Sequence, residues 1–420
     1  MARNPLHAVF EVRPGEGAAV AWAAATFFAV LAAYFVLRPV RDALVLDGDP
    51  AFIPWLFTAT FIAMIAIAPP WGWLVARLPR AAFVPIVYRA FAVQLLVFAP
   101  LIQYDVAPIA VGRVFYVWLS VFNLFVVSVF WSLCADVARP EQGRRLFGPI
   151  AAGGTVGALA GPALTRFLVA HVGPAALMLI SVALLELAVW CARAMDRAAR
   201  AMPAASTATD ASAAARPVGG HPFGGIAGVE RSTYLSGVAI YALCAATLAT
   251  FIYLEQARIV KAAIPSRAER TAYFADVELW TGFATLAIQI LLTARFLRWF
   301  GAGVVLALLP IAQGVGALAL GTWPTLGVAV AVTAGGRAVT HALSRPGREL
   351  LFTAVPREDK YKAKNLIDTY VYRFGDFGSA WLFRGLADAG VAGVAVAGPV
   401  AIVWAGLALA LGVGLRRRTS

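Results

Sequence analysis

Charge is scarce in this chain: 14% of its 420 residues are Asp, Glu, Lys or Arg, against about 25% in a soluble domain. That shortage excludes an ordinary water-soluble globule. A chain that is 61% hydrophobic cannot hide its apolar surface in one aqueous core, so lipid must be the solvent for much of it. Cysteine is almost absent. Cys134, Cys191 and Cys244 lie far apart, within or beside apolar runs, which excludes a disulfide framework or a metal cluster and leaves small packing residues. Histidine is scattered (His7, His171, His221, His341). No GxxxxGK[ST] loop and no HExxH helix occurs, so the chain is expected to bind no cofactor or metal and to be no enzyme.

What remains is a series of apolar runs of about 20 residues, the length needed to cross a bilayer as a helix. They are not the short alternating segments of an outer-membrane barrel. Runs lie near 18–37, 52–75, 82–103, 108–134, 146–169, 174–192, 233–254, 272–294, 301–320, 323–343, 365–386 and 391–415. The expected fold class is therefore an all-α integral membrane protein of about twelve transmembrane helices. Between them, residues 196–230 are rich in Ala, Ser, Thr, Pro and Gly and read as a flexible linker. The expected organisation is a six-helix bundle over 1–195, the linker over 196–230, and a second six-helix bundle over 231–420.

The net charge of +13 does not point to nucleic acid. Most of the basic residues fall in short loops on one side of the twelve spans, which places both termini in the cytoplasm of an inner-membrane protein by the positive-inside rule. The halves echo one another. Arg77 and Arg80 follow the second span, and Arg295 and Arg298 follow the eighth. The first span ends LRPVRDA and the seventh ARIVKAA. Parallel repeats of this kind suit the major facilitator architecture.

Some charges are not explained by topology. Arg38, Arg41, Arg258 and Lys261 sit at expected outer helix ends. One reading is snorkelling to the interface and interaction with the helix C-terminus. The other is that four cations converge on a central cavity and hold an anion, which the guanidinium fork suits. Glu255 shares a helix face with Arg258 and Lys261. It either neutralises them or acts as a coupling or gating acid. Asp368, Arg373 and Asp376 lie in the expected eleventh span, with Lys362 and Lys364 before it. They are substrate ligands, coupling groups or structural pairs. Arg337 is the deepest arginine of the tenth span and a cavity candidate. Gly153, Gly157 and Gly161 repeat every four residues, the spacing that lets helices approach closely.

Several segments resemble the ATP:ADP antiporter (nucleotide translocase) family. They are LRPVRDALV, FYVWLSVFNLFVVSVFWSLCADV, EQGRRLFGPIAAGG, YLEQARIVKAAIPS and, most closely, RPGRELLFTAVPREDKYKAKNLIDTY. The resemblance implies a major facilitator-like fold and nucleotide exchange. It implies a first-span basic residue at Arg41, a seventh-span acid at Glu255 and a late lysine at Lys362 or Lys364. This sequence departs from the family in the fourth span, where the family carries an acid. Here that span offers Ser120 and Asn123, with no acid before Asp136. The expected partners are the lipid bilayer and a small anionic substrate such as ATP or ADP, the chain acting as a monomer. Two alternatives stay open: a proton-coupled major facilitator exporter, and a non-transporting membrane enzyme or lipid scramblase.

Overall fold

The computed structural model describes residues 13, 15–77, 80–137, 140–200, 232–355, 363–364 and 366–419. Lys362 and most of the expected linker lie outside them. The described chain is helical, with no strand. In order it forms α1 (Gly17–Val45), α2 (Ile53–Arg77), α3 (Arg80–Gln103), α4 (Pro108–Val137), α5 (Pro140–Arg200), α6 (Thr233–Ala263), α7 (Arg267–Ile288), α8 (Ala294–Thr322), α9 (Leu326–Val339), α10 (Arg345–Leu351), α11 (Tyr372–Asp388) and α12 (Gly393–Thr419). Nine helical runs among the described residues are long and apolar enough to cross a membrane. Two of these are double-length and break where glycine takes a positive φ that other residues rarely adopt. Gly173 (φ 74°) divides α5, and Gly301 (φ 73°) divides α8. Gly173 falls in the gap expected between the fifth and sixth runs, and Gly301 at the expected start of the ninth. The eleventh expected run corresponds to α11 and the turn before it. The chain is an all-α, multi-pass membrane protein.

The helices form two compact units. The first holds α1, α3, α4, α5, the later part of α2 from Ile62, and Pro265–Leu279. The second holds Asp49–Phe61, α6 and the described chain from Trp280 onward. Each unit thus takes in a segment from the other half of the sequence.

Within the first unit, α1 packs on α5 through the spaced glycines. A methyl at Gly153 or Gly157 would collide with the carbonyl oxygens of Ala24 and Phe28, and one at Gly161 would lie 2.8 Å from that of Ala32. Thr165 and Ser181 then donate hydrogen bonds to the α1 carbonyls of Val36 (3.0 Å) and Ala33 (3.1 Å). Close backbone approach adds dispersion contacts where lipid supplies no hydrophobic drive. In the second unit, α8 meets α12 at Gly303 and Gly412.

The tenth run is longer than the sequence suggests. Arg345 and Arg348, expected in a loop, stand on helix, because a π turn at Thr340–Ser344 joins α9 to α10. Pro346 has no N–H to give to the carbonyl four residues back, that of Ala342. Thr293 Oγ1 supplies the missing donor to Ala342 at 2.8 Å. Thr293 itself ends a second π turn, Gln289–Thr293, and a third, Leu366–Val371, leads into α11. Short π turns mark functional sites more often than chance.

Candidate functional site: the charged groups within the spans

The first unit contains Arg38 and Arg41 near the end of α1. Arg38 meets Glu278 of α7 at 3.3 Å. Arg41 bends back onto its neighbour Asp42 at 2.6 Å, and its guanidinium lies 4.7 Å from the Tyr116 ring centroid. The Arg41 and Asp42 side chains are 11% and 7% exposed, so both charges have left water and lean on each other.

The same unit holds ion pairs that no spacing in the sequence singles out. Asp47 accepts from Arg267 (2.8 Å) and from Arg270 (2.9 Å). Arg267 also reaches Asp105 at 2.7 Å, and Arg166 meets Asp276 at 2.9 Å. All of them tie Pro265–Leu279 to the first unit. Their partners lie more than a hundred residues apart in sequence.

Arg258 and Lys261 belong to the second unit. Glu255 holds Arg258 at 2.5 Å across one helical turn. The carboxylate is largely covered while Arg258 is exposed. Glu255 also lines a small apolar recess with Phe251, Ile252, Leu320 and Phe383. Further along, Arg348 binds Asp368 at 2.7 Å and Lys364 binds Glu349 at 2.6 Å. Arg373 pairs within its own helix with Asp376 at 3.5 Å, and Thr250 of α6 lies 3.5 Å from the same carboxyl group. Arg337 is half-buried on α9. Arg345 is accessible to solvent and lies within electrostatic reach of Arg337, Arg348, Asp368 and Tyr372.

The structure therefore brings Arg38 to Glu278, Arg41 to Asp42, Glu255 to Arg258, Asp368 to Arg348, Lys364 to Glu349, and Arg373 to Asp376. Arg345, Arg348 and Tyr372 are the groups that sequence reasoning passes over. By sequence alone, Arg345 and Arg348 read as loop charges that set topology. The signal that marks them is the proline three residues after Leu343, which forces the helix to change pitch instead of ending.

No protein-family model matches the chain, and no curated protein matches it in sequence. Solved structures do match it in shape. A mutant of the nucleoside transporter NupG is similar at TM-score 0.62 and 12% identity, over 96% of this chain and 100% of that one. A POT family transporter in complex with 5-aminolevulinic acid is similar at TM-score 0.61 and 10% identity, over 95% and 96%. A bacterial homolog of the human lysosomal transporter Spinster, inward-facing and unoccupied, is similar at TM-score 0.58 and 15% identity, over 97% and 96%. Over nearly its whole length, this chain has the fold of major facilitator-type transporters.

Proposed function

We propose that the protein is a secondary transporter that moves an organic anion by alternating access, with nucleotide exchange of the ATP:ADP kind as the leading substrate. It works in the cell inner membrane with both termini in the cytoplasm. The observation that carries the reading is the buried Arg41–Asp42 pair at 2.6 Å. Two charges set inside an apolar helix lose several kcal/mol of hydration each, which their attraction rarely returns in full. A carrier gives such a pair a use. An incoming anion takes over the arginine, and the internal carboxylate resumes its place when the substrate leaves. Glu255 likewise holds Arg258, with the carboxylate covered and the guanidinium exposed. The empty carrier then keeps Arg41 and Arg258 paired.

The test is exchange in liposomes. Labelled ATP should enter faster when the vesicles contain ADP, and Arg41→Ala should abolish that uptake. Unchanged exchange in Arg41→Ala would remove Arg41 from the site.

Asp376 favours a second reading, proton-coupled export. Its side chain is 14% exposed and its nearest cation, Arg373, is 3.5 Å away, so this acid is only loosely neutralised. Flux that follows an imposed pH gradient and ignores nucleotide inside the vesicles would select that reading.

A further inference from the structure

Arg337, Arg345 and Arg348 stand on one continuous helical run, and the π turn between the first two decides where they point. Residues eight apart in a regular α-helix lie about 80° out of phase, at about 100° per residue. A π turn inserts one extra residue into the run. Arg337 and Arg345 then behave as residues seven apart, two full turns along one face. Arg348 follows three residues later on that face. Arg337 and Arg345 are therefore in phase, and Arg345 and Arg348 are neighbours across one turn.

Asp368, on the π turn before α11, binds Arg348 at 2.7 Å. Arg345 makes no ion pair among the described residues, and the charged or titratable groups acting on it are Tyr372, Arg348, Asp368 and Arg337. Both members of the Arg348–Asp368 pair keep some solvent contact, at 16% and 32% exposure. A ligand can therefore reach them. Excess positive charge on a membrane helix is costly unless an anion offsets it. Two guanidinium forks three residues apart, with the Tyr372 phenol within electrostatic reach, offer a set of donors to an oxyanion.

We propose that Arg345, Arg348 and Tyr372 form a subsite for a doubly charged oxyanion group on the transported molecule, with Asp368 as the counterion that gives up Arg348 when the group arrives. This rests on the anion-transport reading above and adds a charge requirement to it. A dianion satisfies both arginines, and a monoanion leaves one unmatched.

The experiment is thermal unfolding of the purified whole chain at pH 8, titrated with inorganic phosphate, succinate or acetate at constant ionic strength. The two dianions should stabilise the wild type at concentrations at least about tenfold below acetate, and which of them does so separates a phosphate from a dicarboxylate group. Arg345→Gln should raise the dianion concentration needed by about tenfold or more, and Arg345→Lys should restore part of it. Arg298→Gln, which removes an exposed positive charge elsewhere, should change nothing. Asp368→Asn should tighten dianion binding because the competitor is gone, an effect that a merely structural aspartate would not produce. Dianion binding that is indifferent to Arg345→Gln, or weakened by Asp368→Asn, overturns the subsite while leaving anion transport standing. A wild type indifferent to every anion overturns both.

Discussion

Thr293 shows how much one hydroxyl can carry. It supplies the hydrogen bond that Pro346 cannot give to the Ala342 carbonyl, and so holds the π turn that orients Arg345. Leaving a buried carbonyl without a donor costs about 1–3 kcal/mol. Thr293→Val is expected to lower the midpoint of thermal unfolding by several degrees and to weaken dianion binding along with Arg345→Gln. Thr322 makes an ordinary hydrogen bond to the carbonyl four residues back on an exposed face, so Thr322→Val should leave both readings unchanged. Equal effects of the two substitutions would mean that Thr293 does nothing special. At this scale the sequence was partly legible. Arg38, Arg41, Glu255, Asp368 and Asp376 stand out as charges in apolar runs or at their ends, because such residues are expensive there. Arg258 is legible as the partner of Glu255 from helix spacing, and the distant partners are not. Asp42 is adjacent to Arg41, yet Glu278 meets Arg38 from 240 residues away.

Among the elements, the α1–α5 contact is the one that the sequence announces most clearly. Glycines four residues apart fall on one helix face, and the structure places all three against α1 backbone. Gly148 lies on the same helix with nothing within 4 Å of an added methyl. The two sites should answer alanine in opposite ways. Gly157→Ala forces a methyl onto the Phe28 carbonyl and should destabilise the chain by about 1–3 kcal/mol, the usual cost of overpacking. Gly148→Ala should be neutral or stabilise by up to about 1 kcal/mol, the helix-propensity gain. Unfolding midpoints of the two variants check this. Helix ends were legible where glycine breaks the run, at Gly173 and Gly301. The π turns were not, since in a run that is apolar on most sides a one-residue shift of phase changes neither its length nor its mean hydropathy. That is why Arg345 and Arg348 read as loop residues and why the tenth run looks too short in the sequence.

At the scale of the whole molecule, the two units take in each other's sequence by different physics. Pro265–Leu279 joins the first unit through ion pairs, centred on Asp47 with Arg267 and Arg270. Asp49–Phe61 joins the second through rings: Trp55 against Trp381, Phe57 against Tyr253, and Phe61 stacked on Phe377, with Trp381 Nε1 donating to Thr58 at 3.0 Å. Salt screens the exposed pairs of the first dock, Arg166–Asp276 and Arg267–Asp105, more than the buried Asp47–Arg270 pair, and does little to the apolar second. Thr271 and Thr60, both buried, report on the two docks. Each can be changed to cysteine in a background lacking Cys134, Cys191 and Cys244. Labelling of Thr271→Cys by a water-soluble thiol reagent should rise with salt concentration, and should rise at low salt when Asp47→Asn removes the acceptor shared by two arginines. Labelling of Thr60→Cys should respond to neither. Salt-independent labelling at both positions would mean that the ion pairs do not hold Pro265–Leu279 in place. For the proposed carrier, two docks held by different physics would be separate handles on the two segments, and the ionic one is where a change in the surrounding electrolyte would be felt first.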